Sequence, residues 1–227
     1  MSVADPPQIR VPPARRVPGR LYLTESEYWK FQAAAERPHE WKCGIGLWDG
    51  DEEVGEVLPK DGYDDDGNAA VPTYEHAKLV REWLVGLDDR LRSSGYEAVS
   101  EGLAVRAANG RKRYPDLVVL RTPPRFEPHP DGKRLVVLDP AVCVEVLSDS
   151  TEAEDLNAKL GDYASIPSVT DYVVVAQDEP LVLHYTRSPA ADGWHVTRHA
   201  RPEAAVVLAE PAVTLTLGEI YARVFPA

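Results

Sequence analysis

Cysteine is scarce: Cys43 and Cys143 are the two in 227 residues. That is too few for a disulfide framework or a four-cysteine zinc site, so a reducing compartment, and with it a cytoplasmic location, is expected. No apolar run approaches 18 residues, so no membrane-spanning helix and no membrane partner are expected. The N-terminus carries no apolar h-region, and secretion is not expected either. Base is in deficit, with 25 Lys and Arg against 37 Asp and Glu, a formal net charge of −12. A pI near 5.0 argues against a general nucleic-acid coat, which needs a broad basic face, but it leaves room for a local basic groove. A Gly-rich phosphate loop and a nucleophile elbow are both missing. His39, Cys43, His76 and Cys143 have the chemistry of zinc ligands, but their spacing matches no zinc motif.

What is present is an ordinary globular share of hydrophobic residues, 44%. The length suits one domain with an added arm. Residues 1–20 hold five prolines and four arginines (Arg10, Arg15, Arg16, Arg20) and read as an extended basic arm. Residues 21–227 read as a single domain. Within it, residues 49–66 hold nine acids against one base, Lys60. Asp64-Asp65-Asp66-Gly67 lacks the spacing of a calcium loop, so this stretch reads as a solvated acidic insertion.

Thr24 to Glu27 is a capping-box pattern that starts a helix, which stops before Pro38. A strand is expected near His39–Leu47. A long helix begins at Pro72-Thr73, with Leu79, Val80, Trp83, Leu84, Leu87 and Leu91 on one stripe, and ends at Gly95. Residues 96–106, 117–120 and 141–147 read as strands. A helix follows from about Glu152 to Ser165, capped within Ser148–Thr151. Strands at 172–175, 181–185 and 194–198 and a terminal helix at Leu217–Val224 complete the chain. The predicted class is α/β (α+β): a mixed central β-sheet flanked by helices.

Glu145 interrupts a seven-residue apolar strand. A carboxylate there must be paired, protonated or bound to a metal, because an isolated buried charge is very costly. Asp116 stands just before the apolar strand Leu117-Val118-Val119-Leu120. Two acids at the ends of neighbouring strands suit an oxygen cage for a hard divalent cation. A salt bridge, or a turn-capping Asp after Pro115, explains them equally well by spacing alone. Asp155, Lys159 and Tyr163 are spaced i, i+4, i+8 and share a helix face. That face is either an ordinary exposed ion pair or one that tips Lys159 toward the carboxylates.

Pro115-Asp116, then Glu145-Val146-Leu147-Ser148-Asp149-Ser150-Thr151, then Asp155, Lys159 and Tyr163 resemble the Uma-two family of putative restriction endonucleases, in the PD-(D/E)XK nuclease superfamily. His39-Glu40-Trp41, Tyr74-Glu75-His76 and Tyr172-Val173-Val174-Val175-Ala176-Gln177-Asp178 resemble further stretches of that family. The sequence departs from it at Trp41-Lys42-Cys43-Gly44-Ile45, where two acids are missing. It departs again at Asp149, where proline is common, and in the longer acidic stretch.

The resemblance implies a restriction-endonuclease-like core and a metal-dependent endonuclease hydrolysing DNA. It implies that Glu40, Asp116, Glu145 and Lys159 are catalytic. Asp116, Glu145 and the main-chain carbonyl of Val146 would hold Mg²⁺ or Mn²⁺, with Glu40 joining directly or through water. The superfamily's usual lysine position is Leu147 here, and the family pattern moves the lysine to Lys159. His76 and Tyr163 are candidates for substrate contact. Arg106, Arg111, Lys112 and Arg113, just before Asp116, are candidate phosphate contacts, with DNA the expected partner. A homodimer that cuts two strands is one arrangement, and oligomeric state stays open. The alternative is a nuclease fold without chemistry, serving as a binding or assembly module.

Overall fold

The computed structural model describes residues 16, 17, 20–34, 39–49, 52–59, 73–100, 102–129, 132–147, 153–188 and 193–225, with side chains in 23–34, 73–100, 102–129, 132–147, 157–188 and 193–225. The rest of the predicted arm, the Ser148–Thr151 cap and residues 50, 51 and 60–66 of the acidic stretch lie outside the described residues.

The chain divides into two compact units. Residues 1–70 and 108–112 form the first, and residues 71–107 and 113–227 the second. The first unit carries β1 (Arg16–Val17), β2 (Arg20–Thr24), α1 (Glu25–Ala34), β3 (His39–Asp49) and β4 (Glu52–Pro59). Its four strands run in the order β1-β2-β4-β3, all antiparallel. The predicted capping box is formed: Thr24 N–H donates to Glu27 Oε2 at 2.8 Å, and Glu27 N–H donates to Thr24 Oγ1 at 3.3 Å. The predicted strand near 39–47 is the longer β3, which pairs with β4 inside the acidic stretch.

The second unit opens with α2 (Tyr74–Leu91), capped by Thr73, whose side chain accepts from His76 N–H. Then come β5 (Tyr96–Ser100) and β6 (Ala104–Arg106). The two-residue β7 (Lys112–Arg113) falls where the chain passes from the first unit to the second. β8 (Leu117–Arg121), β9 (Val136–Val137), β10 (Pro140–Val146), α3 (Ala153–Ala164), β11 (Asp171–Val175), β12 (Val182–Arg187), β13 (Trp194–His199), β14 (Ala205–Leu208), β15 (Val213–Thr216) and α4 (Leu217–Tyr221) follow.

The main sheet has the order β13-β12-β11-β10-β8-β5. Its one parallel pair, β10 with β11, is joined through α3. A parallel pair needs such a crossover, and the helix supplies it. The other pairs are antiparallel, so the sheet is mixed, as predicted. All seven residues of β10 are buried. Val142, Val144 and Val146 pack with Leu79, Trp83 and Leu87 of α2, with Leu208 and Leu215 of the β14–β15 hairpin, and with Ile220 of α4. On the other face, Cys143 packs with Tyr163 of α3 and Tyr172 of β11. Glu145 alternates with the valines and therefore shares the face of Cys143 and α3.

The single strand predicted over 96–106 is corrected to two. Gly102 sits at φ +82°, a left-handed conformation that breaks the extended run. β5 then joins the main sheet beside β8, whereas β6 pairs in parallel with β9. The terminal helix is shorter than predicted and starts with its own capping box, Thr216 with Glu219.

Candidate active site

β8 and β10 run antiparallel with Val144 opposite Leu117. One step further along the ladder, Glu145 falls opposite Asp116. Asp116 closes that end with its side chain: its Oδ2 accepts the N–H of Val146 at 2.8 Å. The Nε2 of His76 stands 3.3 Å from the same oxygen. His76 is placed by the start of α2, where Thr73 Oγ1 accepts the His76 N–H at 3.1 Å and donates to Gln177 Oε1 at 2.7 Å.

α3 delivers two side chains, one turn apart, to Glu145. Tyr163 donates its hydroxyl to Glu145 Oε1 at 2.5 Å. Lys159 Nζ stands 3.5 Å from Glu145 Oε2. The Lys159 and Glu145 side chains are each 8% exposed, and Tyr163 is fully buried. Burial first, and the Glu145 charge second, push the Tyr163 hydroxyl well above its ordinary pKa. The phenol therefore keeps its proton and serves as a donor to the carboxylate. The same two causes push up the Cys143 thiol, which is fully buried one alternation before Glu145.

Asp116, Glu145, Val146, Lys159, His76 and Tyr163 are thus brought to one end of the main sheet. Glu40 is in β3 of the first unit, with its backbone opposite Leu58; its side chain, like that of Asp155, lies outside the described residues. The basic run before Asp116 needs correction. Lys112 is fully buried, its Nζ 2.6 Å from Glu25 Oε1 and 4.4 Å from the centre of the Trp29 ring. Arg113 is 1% exposed, and its Nε donates to Asp162 Oδ2 at 2.8 Å. Arg106 Nη2 donates to both carboxylate oxygens of Glu127, at 2.7 and 2.8 Å. Lys112 and Arg113 are therefore buried against protein carboxylates, and Arg106, 20% exposed, is paired with Glu127. Arg111 is half-buried, with its backbone N–H on Asn109 Oδ1.

Thr73, Gln177 and Asp162 add to the site as supporting residues that the sequence motifs do not single out for that role. For Asp162 a signal existed: it follows Lys159 by three residues and precedes Tyr163, on the same helical stripe.

Among the described residues no three His, Cys, Asp or Glu side chains form a group able to hold a metal. The donor chemistry of Asp116 and Glu145 still suits a hard cation. Mg²⁺ commonly takes one or two carboxylates and keeps several waters.

Residues 63–218 match the family Uma2, described as "Putative restriction endonuclease", and the chain belongs to this family. An uncharacterized protein of Synechocystis, sll1609, is 35% identical over 74 residues, which are 33% of this chain and 40% of the relative. The matched stretch thus spans about two-fifths of that relative's length. A crystal structure of a putative nuclease from Anabaena variabilis superposes with a TM-score of 0.62 at 14% identity, covering 89% of this chain and 99% of the other. That likeness is one of fold. Among the described residues no helix is long and apolar enough to cross a membrane.

Proposed function

We propose that the protein is a metal-dependent endonuclease that hydrolyses phosphodiester bonds in DNA. The observation that carries this reading is the convergence of Lys159 and Tyr163 on the buried carboxylate of Glu145, with Asp116 on the adjacent strand end. A structural ion pair alone needs no second acid beside it.

Asp116, Glu145 and the carbonyl of Val146 would hold Mg²⁺ or Mn²⁺. Once bound, such an ion supplies a water of lowered pKa and neutralises charge on the scissile phosphate. The residues of the chain do the rest. Tyr163 holds one oxygen of Glu145 and so fixes the plane of the carboxylate. His76 and the Val146 N–H do the same for Asp116. Lys159 places an ammonium where negative charge builds on the phosphate, or orients the attacking water. Arg111 remains a candidate phosphate contact. The reaction is expected in the cytoplasm, with a homodimer as one arrangement for cutting both strands.

The competing reading, a nuclease fold acting as a binding or assembly module, draws support from the net charge of −12. Calorimetric titration with Mn²⁺ separates the two. The nuclease reading expects saturable binding to wild type that Asp116→Asn weakens at least about tenfold. Binding that is absent from wild type, or indifferent to Asp116, supports the module.

A further inference from the structure

Lys159 and Tyr163 reach Glu145 only if α3 lies at one height and one rotation over the sheet. A shift of a single residue along an α-helix moves a side chain by about 1.5 Å and turns it by about 100°. Either change would break a 2.5 Å hydrogen bond and a 3.5 Å ion pair. Two arginines outside α3 hold it. In its last turn, the buried Asp162 accepts from Arg113 Nε at 2.8 Å, and Arg113 lies three residues before Asp116. Asp162 is on the same stripe as Lys159 and next to Tyr163, so this bond fixes the helix's rotation. Beyond its C-terminal end, Arg187 of β12 donates from Nη2 to the carbonyls of Ala164 at 2.9 Å and Ile166 at 2.8 Å. Its Nε donates to Val169 O at 2.8 Å. Trp194 backs the guanidinium, 4.7 Å from its ring centre. A cation on the last carbonyl of a helix and on the turn that follows anchors that end along the axis.

We propose that Arg113, through Asp162, and Arg187 are positioning residues that set α3 so that Lys159 and Tyr163 meet Glu145. Arg113 thereby acts inside the catalytic domain and not as a DNA contact. The catalytic consequence rests on the nuclease reading, whereas the placement of Lys159 does not.

The test uses the full chain with Arg113→Met/Asp162→Leu, which replaces the buried pair by apolar side chains of similar size. Proteins often tolerate such an exchange with little loss of stability. Two companions are Arg113→Lys, which keeps the charge, and Arg187→Lys, which keeps charge but loses the planar fork. Lys159 exposure is read by a pulse of acetic anhydride and mass spectrometry, and chemistry by plasmid nicking. In the folded double variant Lys159 should acetylate several-fold faster. The kcat should fall at least about tenfold with KM unchanged, since a misplacement of about 1 Å can cost about a hundredfold. Arg113→Lys should recover part of both, and Arg187→Lys should accelerate acetylation on its own. Native acetylation and native kcat in a folded double variant would overturn the proposal. If the double variant does not fold, native acetylation in Arg187→Lys would do so. A wild type that nicks no DNA defeats the nuclease reading alone, and the acetylation rates still decide the clamp.

Discussion

Glu145 remains in the middle of a sheet because two donors reach it from one helix, the Tyr163 hydroxyl and the Lys159 ammonium. A carboxylate buried without them would cost several kcal/mol. This part of the site was legible in the sequence: an acid inside Ala141–Leu147 has no apolar explanation, and Lys159 and Tyr163 share a helix face. The fate of Lys112 and Arg113 was not legible. Their partners, Glu25 and Asp162, are 87 and 49 residues away, and nothing local distinguishes a buried cation from an exposed one. A titration prediction also belongs here. Burial, and next the charge of His184, hold the His199 imidazole below its ordinary pKa of 6.5. As pH falls the unfolded chain takes up the proton first. This contribution to stability is therefore complete above pH 6.5 and is lost below it, through the lowered folded-state value. Urea unfolding of wild type should lose stability from about pH 7.5 to about pH 5.5 more steeply than that of His199→Gln. Parallel losses in the two proteins would remove His199 as the cause.

The elements differ in how plainly they are written. The α2 stripe is readable because Leu79, Trp83, Leu87 and Leu91 recur over about three turns, and all four are buried. β14 and β15 are four residues each, too short for period-two alternation to stand out, and the hairpin went unforeseen. The break in strand 96–106 leaves no mark in the apolar pattern, because Gly102 acts through its backbone angle. Two helical glycines give opposite predictions. A Cβ on the exposed Gly161 of α3 would meet nothing within 4 Å. Gly161→Ala should therefore stabilise by about 0.5–1 kcal/mol through helix propensity. A Cβ on Gly86 of α2 would lie 2.5 Å from Leu215 Cδ2, in a side chain with 1% exposure. Gly86→Ala should be net destabilising, because overpacking costs about 1–3 kcal/mol against a smaller propensity gain. Thermal unfolding of the two variants checks both signs, and a stabilised Gly86→Ala would show that Leu215 yields freely.

At the scale of the molecule, mixed-sheet architecture and family membership were readable from the acidic and lysine motifs, and a solved structure 14% identical shares the fold. The acid pair, its lysine and the fold are what the nuclease proposal rests on, in an acidic protein of net charge −12. The most direct test is nicking of supercoiled plasmid in Mg²⁺ or Mn²⁺ by wild type, Glu145→Ala and Lys159→Ala purified side by side. The account predicts nicking by wild type that a chelator stops, and losses of at least about a hundredfold in each folded variant. Equal nicking by all three, or none by a folded wild type with either ion, would contradict it.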